Sequence, residues 1–266
     1  MEKIKVIVAG AYGRMGREVV KAVVAQDDLE LVGAVDKMGA GQEIGQVCGL
    51  GDLGIEVETD LTTACRNSAA EVVVDFTTPL TVMDNIKSAL KAGVAAVIGT
   101  TGLTQENLEE INDLAAQAGK GIIVAPNFAL GAVLMMRFAQ EAARYFPDVE
   151  IIELHHDRKI DAPSGTALKT AELIAAGRVT EPGVKPAPLE KINGARGGEY
   201  LGTKIHSVRL PGLVAHQEVL FGNQGQTLTI RHDSLDRSSF MPGVILAIRK
   251  VRNLQGLVYG LEALID

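Results

Sequence analysis

"IKVIVAGAYGRMGREVVKAVVA", Ile4 to Ala25, decides how the first half of the chain is read. An apolar run rich in β-branched residues ends at Gly10, and a helical pattern begins near Arg14. Between them glycines stand at positions 10, 13 and 16. The spacing is G-x-x-G-x-x-G, with Ala11 and Tyr12 after the first glycine, not the strict G-x-G-x-x-G. The physical demand is the same. A tight turn from strand to helix aims backbone N–H groups and a helix N-terminus at a pyrophosphate, and glycine permits close approach. A plain capped turn would use the same residues, so the context has to separate the two readings. "LELVGAVD", Leu29 to Asp36, reads as a second strand. It places Asp36 about twenty residues past Gly16, where a carboxylate binds ribose hydroxyls.

Further along, apolar runs and helical patterns alternate. "EVVVDFT" (Glu71 to Thr77) is a strand, and Pro79 is expected to open a helix running to about Lys91, its missing N–H harmless in a first turn. "VAAVIGTTG" follows, then a helix capped by Thr104 and stopped at Gly119, then "GIIVAPNF". Strands this continuously apolar are buried on both faces, which implies a parallel, doubly wound sheet. The loops "DFTTP", "GTTG" and "APNF" then share the carboxyl edge where such sheets bind ligands. There Gly99, Thr100 and Thr101 are small enough to lie against a nicotinamide ring.

The pattern changes after Phe128. An amphipathic helix near 131–145 precedes the strand "VEIIELHH", and a second helix runs to about Ala176. A Gly/Pro-rich segment, 177–202, leads to three strand-like runs: "TKIHSVRL", "VAHQEVLF" and "QTLTIRH". Helical segments are expected around Pro242 to Arg252 and Leu257 to Leu264. The expectation is an α/β chain. Residues 1–127 and 237–266 form a Rossmann-like, doubly wound parallel sheet, and residues 128–236 an inserted α+β domain with an open mixed sheet.

Composition narrows the classes. With 266 residues, 47% of them hydrophobic, the chain can bury one large or two moderate cores. A net charge of -7 without a Lys/Arg block argues against nucleic acid, and 4% aromatics without Trp against a base-stacking platform. No apolar run approaches the roughly 20 residues of a membrane span. Cys48 and Cys65 lack metal-ligand spacing and read as reduced thiols of a cytoplasmic protein. The opening "MEKIKVIVAG" is expected to leave no room for a signal peptide.

"LHHDRKIDAPSGTA", Leu154 to Ala167, carries two of the five histidines. If the strand continues through them, Ile151, Glu153 and His155 share one face and His156 takes the other. Ser164 suits an N-cap, so Gly165 and Thr166 would open a helix whose N-terminus is an anion site. Lys159 adds a cation, and the two histidines are candidate acid–base groups. Such an inventory fits a small carboxylate substrate. No metal site is expected, because adjacent histidines do not converge on one ion and no Cys/Asp/Glu cluster completes a set. Nor does Ser164 have nucleophile-elbow spacing.

Taken in order, "GAYGRMG", "DFTTP", "GTTG", "APNFALG" and "ELHHDRKIDAPSGTA" resemble the 4-hydroxy-tetrahydrodipicolinate reductase family of lysine and diaminopimelate biosynthesis, also called dihydrodipicolinate reductases. The resemblance spans nearly the whole chain. It implies NADH and/or NADPH as cofactor, held by Gly10, Ala11, Tyr12, Gly13, Arg14 and Met15, and by Asp36 and Lys37. Gly99, Thr100, Thr101, Ala125, Pro126, Asn127 and Phe128 complete that set. It implies His155 and Lys159 as catalytic acid/base groups, and His156, Gly165 and Thr166 as contacts to a dicarboxylate. It also implies that the inserted domain binds substrate and builds a homotetramer. Tyr12 stands where relatives often carry a small residue. Lys37 is a point charge where relatives often have arginine. Two other readings remain open on the residues themselves: another dinucleotide reductase of a small acid or semialdehyde, and a nucleotide-sensing module without turnover.

Overall fold

Val6, Ile7 and Val8 are wholly buried, which makes β1 (Ile4–Ala9) an interior strand. The computed structural model describes residues 2–180, 183 and 189–265. By contact the chain divides into two compact units, Met1–Phe128 with Phe240–Asp266, and Ala129–Ser239.

In the first unit β1 leads to α1 (Arg14–Val24), β2 (Leu29–Val35), α2 (Ile44–Cys48), β3 (Val57–Glu58) and α3 (Leu61–Asn67). Then come β4 (Val72–Asp75), α4 (Val82–Lys91), β5 (Ala95–Ile98), α5 (Gln105–Ala118) and β6 (Gly121–Val124). Every neighbouring pair in the seven-stranded sheet is parallel, so all carboxyl ends share one edge. With β12 (Gly256–Tyr259) at one edge, its order is β12-β6-β5-β4-β1-β2-β3, which reverses direction at β1 and β4. That reversal opens the crevice where such sheets take ligands.

The Thr104 start and Gly119 stop hold for α5. Thr104 Oγ1 accepts from Asn107 N at 3.2 Å while Asn107 Oδ1 accepts from Thr104 N at 3.1 Å. Gly119 at φ 60° ends the helix in the left-handed region. Two expectations fail. Pro79 lies in a turn, and α4 begins at Val82, because the Thr78 carbonyl collects the N–H groups of Thr81 and Val82 and winds a separate turn first. Leu257 to Leu264 is not a helix. It forms strand β12 (Gly256–Tyr259) and a short 3-10 turn, Glu262–Leu264. The apolar spacing of Leu257, Leu261 and Leu264 imitates a helix, but Gly256 at φ 80° redirects the chain and β6 offers an unpaired edge. The helix expected before it is present as α8 (Met241–Val251).

The second unit opens with α6 (Leu130–Ala142) and β7 (Asp148–His155), followed by α7 (Gly165–Gly177). β8 (Gly198–Tyr200), β9 (Thr203–Arg209), β10 (Ala215–Asn223) and β11 (Gln226–Ser234) complete it. The sheet order is β11-β10-β7-β9-β8. β9 runs parallel to β7, and the other neighbours are antiparallel, so the sheet is mixed. The runs "TKIHSVRL" and "VAHQEVLF" are therefore not partners; β7 lies between them. The β7–α7–β9 path is a βαβ unit, and it sets the N-terminus of α7 just after the carboxyl end of β7. Part of the Gly/Pro-rich segment lies outside the described residues.

Candidate active site

On the first unit's carboxyl edge, the glycine turn is built almost wholly from its own backbone. Gly10 sits at φ 79°, and the N–H groups of Gly10 and Ala11 both donate to Val35 O, at 2.8 and 3.2 Å. Gly13 N donates to Gly10 O at 3.0 Å, and Tyr12 N to Asp36 Oδ2 at 3.0 Å. A Cβ on Gly16 would sit 2.0 Å from Gly10 O, so α1 approaches the turn as only glycine allows. The donors left for an anion are the first-turn amides of α1, Arg14 to Gly16, which have no intrahelical acceptor; no side chain caps them at Gly13.

Asp36, just past β2, also accepts from Met38 N at 2.9 Å, so two backbone amides orient its carboxylate. Lys37 beside it is exposed. Tyr12 is fixed in place: its ring lies where a Cβ on Gly39 would come within 2.3 Å, and the Arg17 guanidinium sits 4.5 Å from its centroid. Arg17 Nε donates to Tyr12 O at 2.9 Å. These residues fit a dinucleotide: an open helix N-terminus, a glycine cradle and a preset carboxylate.

Beyond β4, β5 and β6 the other three loops meet in a buried network. Asp75, with no exposed surface, accepts from Thr77 N (3.0 Å), Thr77 Oγ1 (2.8 Å) and Thr100 Oγ1 (2.7 Å) at one oxygen, and from Asn85 Nδ2 (2.7 Å) at the other. Gly99 has room only for its hydrogen against the Phe76 ring, since a Cβ would lie 2.2 Å away. Phe76 meets the buried Phe128 ring at 5.7 Å. Ala125 is buried, with its N–H on Ile98 O at 3.0 Å, whereas Thr101 and Pro126 are exposed and Asn127 half-buried.

In the second unit β7 ends at His155, and His156 lies in the loop, exposed, its carbonyl accepting from Lys159 N at 3.1 Å. The two histidines therefore differ in setting. His155 Nδ1 lies 2.5 Å from Oε2 of Glu153, whose side chain is completely buried. Arg209 grips the same carboxylate at 2.9 and 2.7 Å and donates to Asp161 O at 2.7 Å. His155, Arg209 and Ser207 outweigh the cost of burial and hold the Glu153 carboxyl down at about 2, so it stays ionised. Lys159 Nζ reaches both Asp161 oxygens at 2.8 Å, sharing its charge with an exposed carboxylate. Buried Ser164 caps α7, its Oγ accepting from Ala167 N at 3.2 Å, so Gly165 and Thr166 form the first turn as expected.

Sequence reading missed Asp75, Glu153 and Arg209 as members of these clusters. A signal for the first two existed: an acid ending the apolar run "VVVD", and a glutamate two positions before His155 on the same strand face. Arg209 had none, being 56 residues from Glu153. Among the described residues no group of three or more His, Cys, Asp or Glu is placed to hold a metal. Both cysteines are free and buried, and burial pushes the Cys65 thiol up to about 11, which rules it out as a nucleophile near neutrality.

A glycine turn with an oriented carboxylate in one unit and a histidine–glutamate–arginine cluster in the other fit the class that the chain's relatives define, an NAD(P)H-dependent oxidoreductase. The chain belongs to the dihydrodipicolinate reductase family: the model "Dihydrodipicolinate reductase, N-terminus" matches residues 4–128 and "Dihydrodipicolinate reductase, C-terminus" residues 131–265. It is 55% identical over 267 residues to the 4-hydroxy-tetrahydrodipicolinate reductase of Desulfitobacterium hafniense, covering 100% of both chains. With that of Moorella thermoacetica it shares 55% over 264 residues, 99% of this chain and 98% of the relative. A solved structure, the dipicolinate-bound dihydrodipicolinate reductase from Paenisporosarcina sp. TG-14, superposes with a TM-score of 0.87 at 46% identity. The match covers 99% of this chain and 100% of that one.

Proposed function

We propose that the chain reduces 4-hydroxy-tetrahydrodipicolinate, with loss of water, to tetrahydrodipicolinate in diaminopimelate and lysine biosynthesis. The observation that carries this reading is the full-length likeness to the named reductases, joined to an acid–base cluster beside a helix N-terminus in Leu154–Ala167.

Bound NADH or NADPH supplies the hydride that reaches ring C4. On this reading the first-turn amides of Arg14 and Met15 bind the pyrophosphate, with Gly10, Ala11, Tyr12 and Gly13 shaping the turn. Asp36 takes the ribose hydroxyls; its charge disfavours a 2′-phosphate, which Lys37 offsets, so both nucleotides are used with NADH favoured. Gly99, Thr100, Thr101 and Ala125 to Phe128 flank the nicotinamide. The substrate carboxylates fall to Gly165 and Thr166 at the start of α7, and to His156. Holding a dianion there fixes the ring for transfer and draws electron density towards it. The balancing proton comes from His155 or Lys159.

The roles divide as dinucleotide binding in the first unit and substrate binding and assembly in the second. One face of the second sheet carries Ile152, Leu154, Val208 and Leu220, only half-buried, which supports assembly into a homotetramer through it. No described helix is long and apolar enough to cross a membrane. Together with the two free thiols, this supports a cytoplasmic setting.

The test follows NADH and NADPH absorbance while a synthase generates the substrate from pyruvate and aspartate semialdehyde. Oxidation that depends on substrate is expected with both nucleotides. Nucleotide binding without such oxidation would return the chain to the sensing-module reading.

A further inference from the structure

We infer that Glu153 is a positioning residue for the reaction: its buried carboxylate keeps a proton on His155 Nδ1 and so reserves Nε2 for proton exchange with substrate. The inference rests on the proposed reaction and adds to it a residue that never touches substrate.

The geometry supports it in three steps. An ionised carboxylate only accepts hydrogen bonds, so the 2.5 Å contact to His155 requires the proton on Nδ1. Neutral His155 then has its lone pair on Nε2, and the imidazolium carries its transferable proton there. When that proton leaves, the Nε2–H bond breaks, the proton joins the electron-rich substrate, and the ring ends as the neutral Nδ1–H form with Glu153 unchanged. Arg209 supplies the third step. Its two bonds to Glu153 and one to Asp161 O pin the carboxylate from the neighbouring strand β9. This is the base-and-orienter logic of nucleophilic triads, used here for an acid.

Other groups around the pair are accounted for. β9 brings Arg209 and Ser207, and β10 sets Gln217 directly across from Glu153. His232 lies in the same row on β11, one strand further. The following loop brings Lys159, paired to Asp161. α7, packed on β7, brings the Thr170 hydroxyl, bonded to Gln217 at 2.7 Å. Among the described residues, Arg209 is the cation that faces Glu153, and His155 and Ser207 add hydrogen bonds to it.

The test uses the full chain with 15N-labelled histidine, in which nitrogen shifts report the tautomer and His155 is assigned by its loss in His155→Gln. The expected spectrum shows the Nδ1–H form, lost in Glu153→Gln. In the same variant kcat should fall about 10- to 100-fold, up to the lower limit of what general acid catalysis contributes, with KM for the nucleotide unchanged. The alkaline fall in rate should also begin at lower pH, since Arg209 is left uncompensated beside the donor. In a His155→Gln background the Glu153→Gln change should cost nothing more. An Nε2–H tautomer in the wild type, or losses that multiply, would overturn the inference. If Glu153→Gln does not fold, Glu153→Gln/Arg209→Gln removes both charges and is read by the tautomer and by kcat, with no pH shift expected because Arg209 is gone as well. A wild type without turnover would overturn the proposed reaction, while the spectrum still judges the tautomer.

Discussion

Asp75 in the first unit and Glu153 in the second are both fully buried acids at the carboxyl ends of strands, yet their partners differ in kind. Asp75 is surrounded by neutral donors, two threonine hydroxyls, a backbone amide and an asparagine, drawn from the loops beyond β4 and β5 and from α4. Glu153 is held by an arginine and an imidazole. Neutral donors tie loops into a shape. A cation and an imidazole keep a charge in place where a proton must move. The first arrangement suits a surface that receives a nucleotide, the second an acid–base centre.

The largest expected effect tests the charged arrangement. Glu153 titrates from 4.5 down to about 2 in the fold, so its stabilising contribution is complete above the unfolded value and is lost as pH falls through that window. The shift corresponds to on the order of 3 kcal/mol. Urea unfolding of the wild type should therefore lose that much more stability between neutral pH and acid than Glu153→Gln/Arg209→Gln does; equal acid losses would show that the pair carries no such linkage.

Asp75→Asn comes next. The new amide would turn a donor towards a donor at Asn85 or at Thr100, costing about 1–3 kcal/mol. A lower melting temperature and a raised KM for the nucleotide should appear, with the pH profile of kcat unmoved. A shifted profile would erase the distinction between the two acids. The smallest effect belongs to Lys37→Ala. Loss of one exposed charge should weaken NADPH about two- to fivefold relative to NADH, in line with surface charge energies; equal weakening of both would deny the lysine its phosphate role.

Much of this was legible in the residues. Wholly apolar strands gave the parallel sheet, the glycines at 10, 13 and 16 its first strand–turn–helix step, and Ser164 the start of α7. Pairing across the sheets was not legible. β12 joins β6 across more than 130 residues of chain, and β7 enters between β9 and β10 although all three read as separate runs. The same limit hid Arg209, whose meaning arises only when β9 is laid beside β7. Asp75 and Glu153 stood in plain view as acids in apolar strands. What could not be read was which donors would meet them, because those come from other elements.

The measurement that bears most directly on the account is turnover and NADH binding, side by side, in His155→Gln/Lys159→Ala. The account predicts that turnover falls by at least about 10²-fold while fluorescence titration gives wild-type affinity for NADH. Turnover within a few-fold of the wild type would contradict it and move the acid–base centre away from Leu154–Ala167.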